Sequence, residues 1–142
     1  RSKGQGFITA ICNAMISRKP IQIFVPLETI RNFVYVDDAA SLISEIILDT
    51  SAQNLSIKLI KIVASESNVS LGQVVGETTR VFGRRPHVVL TQTEQGKHHL
   101  MDLRLESIID AGVAPQTSTS LAIGMDRIRL HLLSELQSAS LA

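Results

Sequence analysis

Tryptophan is absent from this chain of 142 residues, tyrosine occurs once (Tyr35) and cysteine once (Cys12). A lone cysteine excludes an intrachain disulfide and fits a reducing, cytoplasmic setting. Aromatic residues make up 4% of the chain, too few for a base-stacking surface. Charge of one sign is lacking as well: 14 Lys and Arg stand against 13 Asp and Glu, a formal net charge of +1. That balance exerts no general pull on nucleic acid. No apolar run is long enough to span a membrane, and no signal peptide is visible. Nor is there an initiator methionine. The chain opens R-S-K-G-Q-G and runs directly into a helix-like pattern, as a processed or trimmed chain would.

What is present suits a packed domain. Hydrophobic residues make up 44% and charged residues 19%, enough to bury a core over a single domain spanning residues 1–142. Phe7, Ile8, Ile11, Met15 and Ile16 recur at helical spacing, and Pro20 stops that helix. Residues 21–25 read as a short strand closed by Pro26. Phe33 to Val36 has no polar alternation, which predicts a strand buried on both faces. Asp37 and Asp38 follow as a helix cap and first-turn acid, ahead of a stripe of Ala39, Leu42, Ile43, Ile46 and Ile47. Residues 59–64 read as another strand. Ser70 and Gln73 form a capping box, with Val69 and Val74 as a staple and Gly83 as the stop. His87 to Leu90 reads as a short strand and Arg104 to Ala111 as a short helix. A last helix carries Leu121, Met125, Ile128, Leu132 and Leu136 along one side, and the tail 138–142 is expected to fray. Strands alternating with helices predict an α/β fold with a mixed, partly parallel small sheet.

Several chemistries lack their parts. A dinucleotide fingerprint needs a glycine-rich turn between strand and helix. Here the only close glycine pair is Gly4 and Gly6, without the third glycine. A tyrosine-lysine couple four residues apart is absent, since Ala39 stands four positions after Tyr35. His98 and His99 would point to opposite faces of an extended segment, so no metal ligand set is expected. Cys12 reads as a small core residue. No catalytic residue is assigned.

Basic residues are the remaining candidates. From spacing alone, Arg31 is a solvated or ion-paired arginine at a strand end, with a phosphate-directed guanidinium as the second reading. Arg84 and Arg85, before Pro86, read first as a solvated turn and second as a phosphate contact. Lys97, His98 and His99 follow a polar loop over 91–96 that is able to cover a ligand.

The order of these segments resembles the C-terminal part of the extended short-chain dehydrogenase/reductases, the NAD-dependent sugar epimerases and dehydratases of the UDP-galactose 4-epimerase type. G-Q-G-F-I-T-A-I-C-N-A-M-I-S-R-K-P-I-Q-I-F is similar to the family's helix after the nucleotide-facing loop and the strand behind it. R-N-F-V-Y-V-D-D-A-A resembles its arginine-aspartate-aromatic motif and is the most specific piece. K-I-V-A-S-E-S-N-V-S-L-G-Q-V-V resembles the strand, polar turn and helix that follow. D-L-R-L-E-S-I-I-D-A-G-V-A-P-Q-T-S-T-S-L-A-I-G-M resembles the closing pattern. Two positions depart from the family. Asn32 replaces an aspartate, and the stretch before Asp102 offers Lys97 where many members carry a second phosphate-binding arginine.

The resemblance implies the substrate-binding lobe of an NAD-dependent epimerase/dehydratase, with the Rossmann half missing. It implies Arg31 as a ligand of a nucleotide diphosphate, with Gly4, Gln5, Gly6 and Phe7 beside the nucleotide and Lys97 as a second phosphate contact. NAD would belong to the parent enzyme, held mainly by the missing half. No cofactor is expected for this chain alone, which should be inactive. The expected partners are a nucleotide sugar or related small molecule and the missing half, with self-association through an exposed apolar face. Nucleic acid and membrane are not expected. The alternative is a free-standing, non-catalytic binding or interaction module derived from the same lobe.

Overall fold

The computed structural model describes residues 6–52, 60, 62–65, 67–91, 102–104 and 119–140. Helix α1 spans Phe7–Ser17 and ends on Arg18, followed by strand β1 at Ile21–Ile23. Strand β2 is Ile30–Asn32, and helix α2 is Val36–Ala52. Strand β3, Asn68–Ser70, runs straight into helix α3 at Leu71–Phe82. Strand β4 is Val88–Leu90, and helix α4 is Leu121–Ser140.

The strands form two separate pairs. β1 lies parallel to β4, with Ile21 opposite Val88 and Ile23 opposite Leu90. β2 lies antiparallel to β3, with Ile30 opposite Ser70 and Asn32 opposite Asn68. Two-stranded pairs are marginal alone and need a packed layer. Here α1, α3 and α4 pack against one another and supply it. Ile11 and Cys12 of α1, Ile21 of β1, Val74 of α3 and Met125 of α4 form the buried cluster. Phe33, Val69, Leu121, Ile128 and Leu132 pack around it.

Local signals are realised where they are self-contained. Ser70 Oγ accepts from the Gln73 N–H at 3.1 Å, and Gln73 Oε1 accepts from the Ser70 N–H at 2.7 Å. Gly83 closes α3 with φ 66°, a left-handed position that glycine holds without strain. The Gly72 N–H donates to the Leu27 carbonyl at 2.8 Å and the Leu71 N–H to the Thr29 carbonyl at 3.0 Å, which ties the start of α3 to the 27–29 segment.

Three strand and helix boundaries differ from expectation. The predicted strand at Phe33–Val36 lies three residues earlier, at Ile30–Asn32. In the antiparallel register Phe33 would fall opposite Ser67, which is not in a strand, so the ladder stops at Asn32. The freed residues turn to other uses: Phe33 packs on the core, Val34 is exposed and Val36 opens α2. Of the predicted strand at 59–64, the described residues Ile60, Ile62, Val63 and Ala64 are not in a strand. The last helix holds its core stripe through Leu132, whereas Leu136 is exposed and the helix continues to Ser140 rather than fraying at 138. The helix expected at 104–111 lies outside the described residues except for Arg104, which is not helical. Among the described residues, no helix is long and apolar enough to cross a membrane.

Cys12 is fully buried, and that burial pushes its thiol up from 9.0 to about 11. The folded chain therefore holds its thiol proton more tightly than the unfolded chain. Between pH 9.0 and about 11 the unfolded state binds fewer protons, so stability falls as pH rises through that window and is unaffected by this group below it. We expect the thiol to resist a soluble alkylating reagent at neutral pH and to react fully in urea. Prompt labelling of the native chain would contradict its placement.

Candidate functional site

The segment between β2 and α2, residues 33–35, cannot pair with a strand, so its side chains are free to face α4. Tyr35 does so. Its ring lies against Gly124, where a Cβ would approach Tyr35 Cδ2 to 3.3 Å. One turn further along α4, the Arg127 guanidinium stands 5.2 Å from the centre of the Tyr35 ring, within cation–π range. A glycine inside an apolar helical stripe thus makes room for the only tyrosine.

Asp38 fixes this arrangement. It does not act as the cap of its own helix. It sits in the first turn of α2, and its carboxylate accepts from the Thr119 N–H at 2.5 Å and the Thr119 hydroxyl at 2.8 Å. Thr119 immediately precedes Ser120, whose Oγ accepts from the Ile123 N–H at 3.4 Å at the head of α4. One carboxylate therefore ties the first turns of two helices together. Asn32 fixes the other side. Its Nδ2 donates to the Ser65 carbonyl at 2.9 Å, the Ser67 carbonyl at 3.3 Å and Asn68 Oδ1 at 3.1 Å. Its Oδ1 accepts from the Ser65 N–H at 2.8 Å.

Between these ties lies a cavity of about 620 Å³. α1 contributes Phe7 and Ile8, with Gly6 as its N-cap at φ 96°. The 32–36 segment contributes Phe33 and Tyr35, and α4 contributes Leu121, Met125, Ile128, Arg127 and His131. The walls are mainly apolar and the charged side chain at the rim is cationic. His131 also approaches Glu135 to 3.5 Å along the helix. The volume is within the range of small-molecule sites, about 300–1,000 Å³. Such a space suits a ligand with a flat apolar part and a negative charge. It holds no carboxylate pair and no activated nucleophile among the described residues. Among those residues, too, no group of His, Cys, Asp and Glu is placed to hold a metal ion.

Of the residues anticipated from sequence, Gly6 and Phe7 line this cavity. Arg31 stands in β2, half-buried, and its Nη1 donates to the Ile30 carbonyl at 2.6 Å. It does not line the cavity, although its neighbour Asn32 does. Gly4, Gln5 and Lys97 lie outside the described residues. Arg127, Gly124 and His131 were not anticipated. The signal that could have found them is Gly124, an interruption of the stripe between Leu121 and Met125 that marks a close approach.

At the described β3–α3 junction the Gly72 N–H is taken by the Leu27 carbonyl.

No family model matches the chain, and no curated protein matches it. Solved structures do. A mutant UDP-glucuronic acid 4-epimerase from Bacillus cereus, in complex with UDP-4-deoxy-4-fluoro-glucuronic acid and NAD, is 13% identical with a TM-score of 0.60. The match covers 94% of this chain and 41% of that one. MoeE5 in complex with UDP-glucuronic acid and NAD is 20% identical with a TM-score of 0.64, over 93% of this chain and 43% of that one. MoeE5 in complex with UDP-glucose and NAD is 21% identical with a TM-score of 0.63, over 89% and 42%. The chain therefore spans about two fifths of the length of the structures it matches. The likeness establishes the fold: a small α/β unit of the kind that forms part of those larger proteins.

Proposed function

We propose that this chain is the substrate-binding lobe of an NAD-dependent nucleotide-sugar epimerase/dehydratase, inactive by itself. The observation that carries the reading is the match of nearly the whole chain to one part of proteins whose structures hold UDP-sugars and NAD. The cavity supports it. Phe7 and Gly6, on the segment that resembles the family's nucleotide-facing loop, border an apolar space with a cationic rim. In this reading Arg31 binds the diphosphate, Gly4, Gln5, Gly6 and Phe7 flank the nucleotide, and Lys97 supplies a second cation. Arg31 must then release the Ile30 carbonyl and swing its forked donors to the phosphate.

When bound to the parent enzyme, NAD would supply hydride transfer, and this lobe would position the sugar. The chain's own part is binding and orientation. The alternative, a free-standing binding module built on the same lobe, predicts the same ligand contacts without a catalytic partner.

The test is titration of the 142-residue chain with UDP-glucuronic acid by calorimetry. Saturable binding is expected, reduced about tenfold or more in Arg31→Ala through loss of a charge-assisted bond. Turnover by this chain alone with NAD would overturn the proposed inactivity. Absence of binding, or binding indifferent to Arg31→Ala, would remove the diphosphate role.

A further inference from the structure

A second cavity, of about 220 Å³, opens at the far end of α1. It is lined by Ala14 and Met15 of that helix and by Arg18, Lys19, Arg84, Arg85 and His87. Four permanent cations therefore face one small space, and no acidic side chain lines it. The chain's formal charge is only +1, so with four of its fourteen cations here the remainder carries ten against thirteen acids. Positive charge is concentrated at this cavity, while the rest of the chain is net acidic.

Helix chemistry explains part of the cluster. The C-terminal end of α1 carries the negative end of its dipole, which favours a nearby cation. Arg84 reaches across to donate to the Met15 carbonyl, one of the orphan acceptors of the last turn. That accounts for Arg84 and one more charge. It leaves the others. Among the described residues, none of Arg18, Lys19 and Arg85 has an ion-pair partner, and all are exposed. Arg18 is also the sole described non-glycine residue with positive φ, at 54°. Glycine fills such a cap without strain. An arginine there holds its guanidinium at the cavity mouth at a conformational cost.

We propose that this cavity binds a compact phosphate-bearing anion, such as an oligophosphate or a multiply phosphorylated headgroup. Arginine donates in paired fashion to phosphate oxygens, and lysine adds a point charge. The space is smaller than the about 300 Å³ at which drug-sized pockets begin. No aromatic side chain lines it apart from His87, so a stacked nucleobase is not part of the fit. A nucleic acid strand would want a longer basic groove with stacking platforms. The site is separate from Arg31 and from the larger cavity, with which it shares no lining residue.

The test is calorimetric titration with tripolyphosphate, and co-sedimentation with phosphatidylcholine vesicles carrying phosphatidylinositol bisphosphate. Saturable tripolyphosphate binding is expected, weakening steeply with added salt. It should fall about tenfold or more in the double variant Lys19→Glu/Arg85→Glu, since two charge-assisted bonds are lost. Arg84 is left in place because of its tie to Met15, and an unchanged circular dichroism spectrum would show that the double variant folds. Arg31→Ala should bind tripolyphosphate as the parent chain does. Vesicle retention that the double variant loses, without binding of free tripolyphosphate, would assign the phosphate to a lipid headgroup. Failure of both probes, or binding that survives Lys19→Glu/Arg85→Glu and falls with Arg31→Ala, would overturn the proposal.

Discussion

Truncating Met125 to alanine is expected to remove about 3 kcal/mol of stability, the middle of the range for buried large-to-small changes. Met125 is fully buried and joins the cluster formed by α1, α3 and β1. Its removal leaves a void bounded by Ile11 and Val74, which are themselves fully buried and cannot move in without disturbing two helices. The apolar cavity beside it would enlarge rather than collapse, because Met125 forms part of that wall. Urea unfolding should show a lower midpoint at unchanged slope. Met125→Leu, which conserves volume, should lose less than about 1.5 kcal/mol. A loss below about 1 kcal/mol for the alanine variant would mean that the helices do not converge on this side chain.

Asn32→Asp is expected to lower stability by on the order of 2–3 kcal/mol at neutral pH, although the two side chains have the same shape. The amide Nδ2 donates to two carbonyls and to Asn68 Oδ1. A carboxylate cannot donate, so three acceptors would face a negative charge in a half-buried setting. Only the bond from the Ser65 N–H would survive. Protonation returns one O–H donor. The deficit relative to the parent chain should therefore shrink as pH falls through the carboxylate range. Unfolding of both chains at pH 7 and pH 4 measures this directly. A deficit that stays constant or grows on acidification would show that the Nδ2 donations do not hold the 65–68 segment. The same comparison explains why asparagine suits this chain at a position where the resembling family carries an acid.

How far the fold was legible depends on the distance over which each signal acts. The Ser70–Gln73 box and the Gly83 stop lie within one helix, and both were readable from spacing. The strands were misplaced because a ladder is decided by its partner. Arg31 pairs with Val69, and nothing near residues 31–36 announces that β3 begins only at Asn68, opposite Asn32. Apolar residues 33–36 look like a buried strand, yet all four line the large cavity instead of joining a ladder. The α4 stripe was right as far as Leu132 and failed at Leu136, where the helix has outrun the elements that cover it.

The site divides the same way. Gly6 and Phe7 were reached through a motif in their own segment. The stacking of Arg127 on Tyr35, and the space left by Gly124, needed two distant segments to be seen together. Asp38 illustrates the limit most clearly. Its place in the first turn of α2 was readable from sequence, whereas its partner, Thr119, lies 81 residues away. Arg84 and Arg85 read as a turn from sequence, and their meeting with Arg18 and Lys19 is a tertiary event.

The packing of α1 against α4 joins the two ends of the described structure, and just over a hundred residues lie between Ser17 and Leu121. Closing so long a loop is thermodynamically mild, since each doubling of length adds only about 0.6 kcal/mol. Its effect is on timing. On the ribosome, at roughly 5–20 residues per second, α4 follows α1 by roughly 5–20 seconds. For that interval Ile11, Cys12 and Met15 have no α4 to cover them, and the nascent chain presents a sticky helical face with its final partner still unsynthesised.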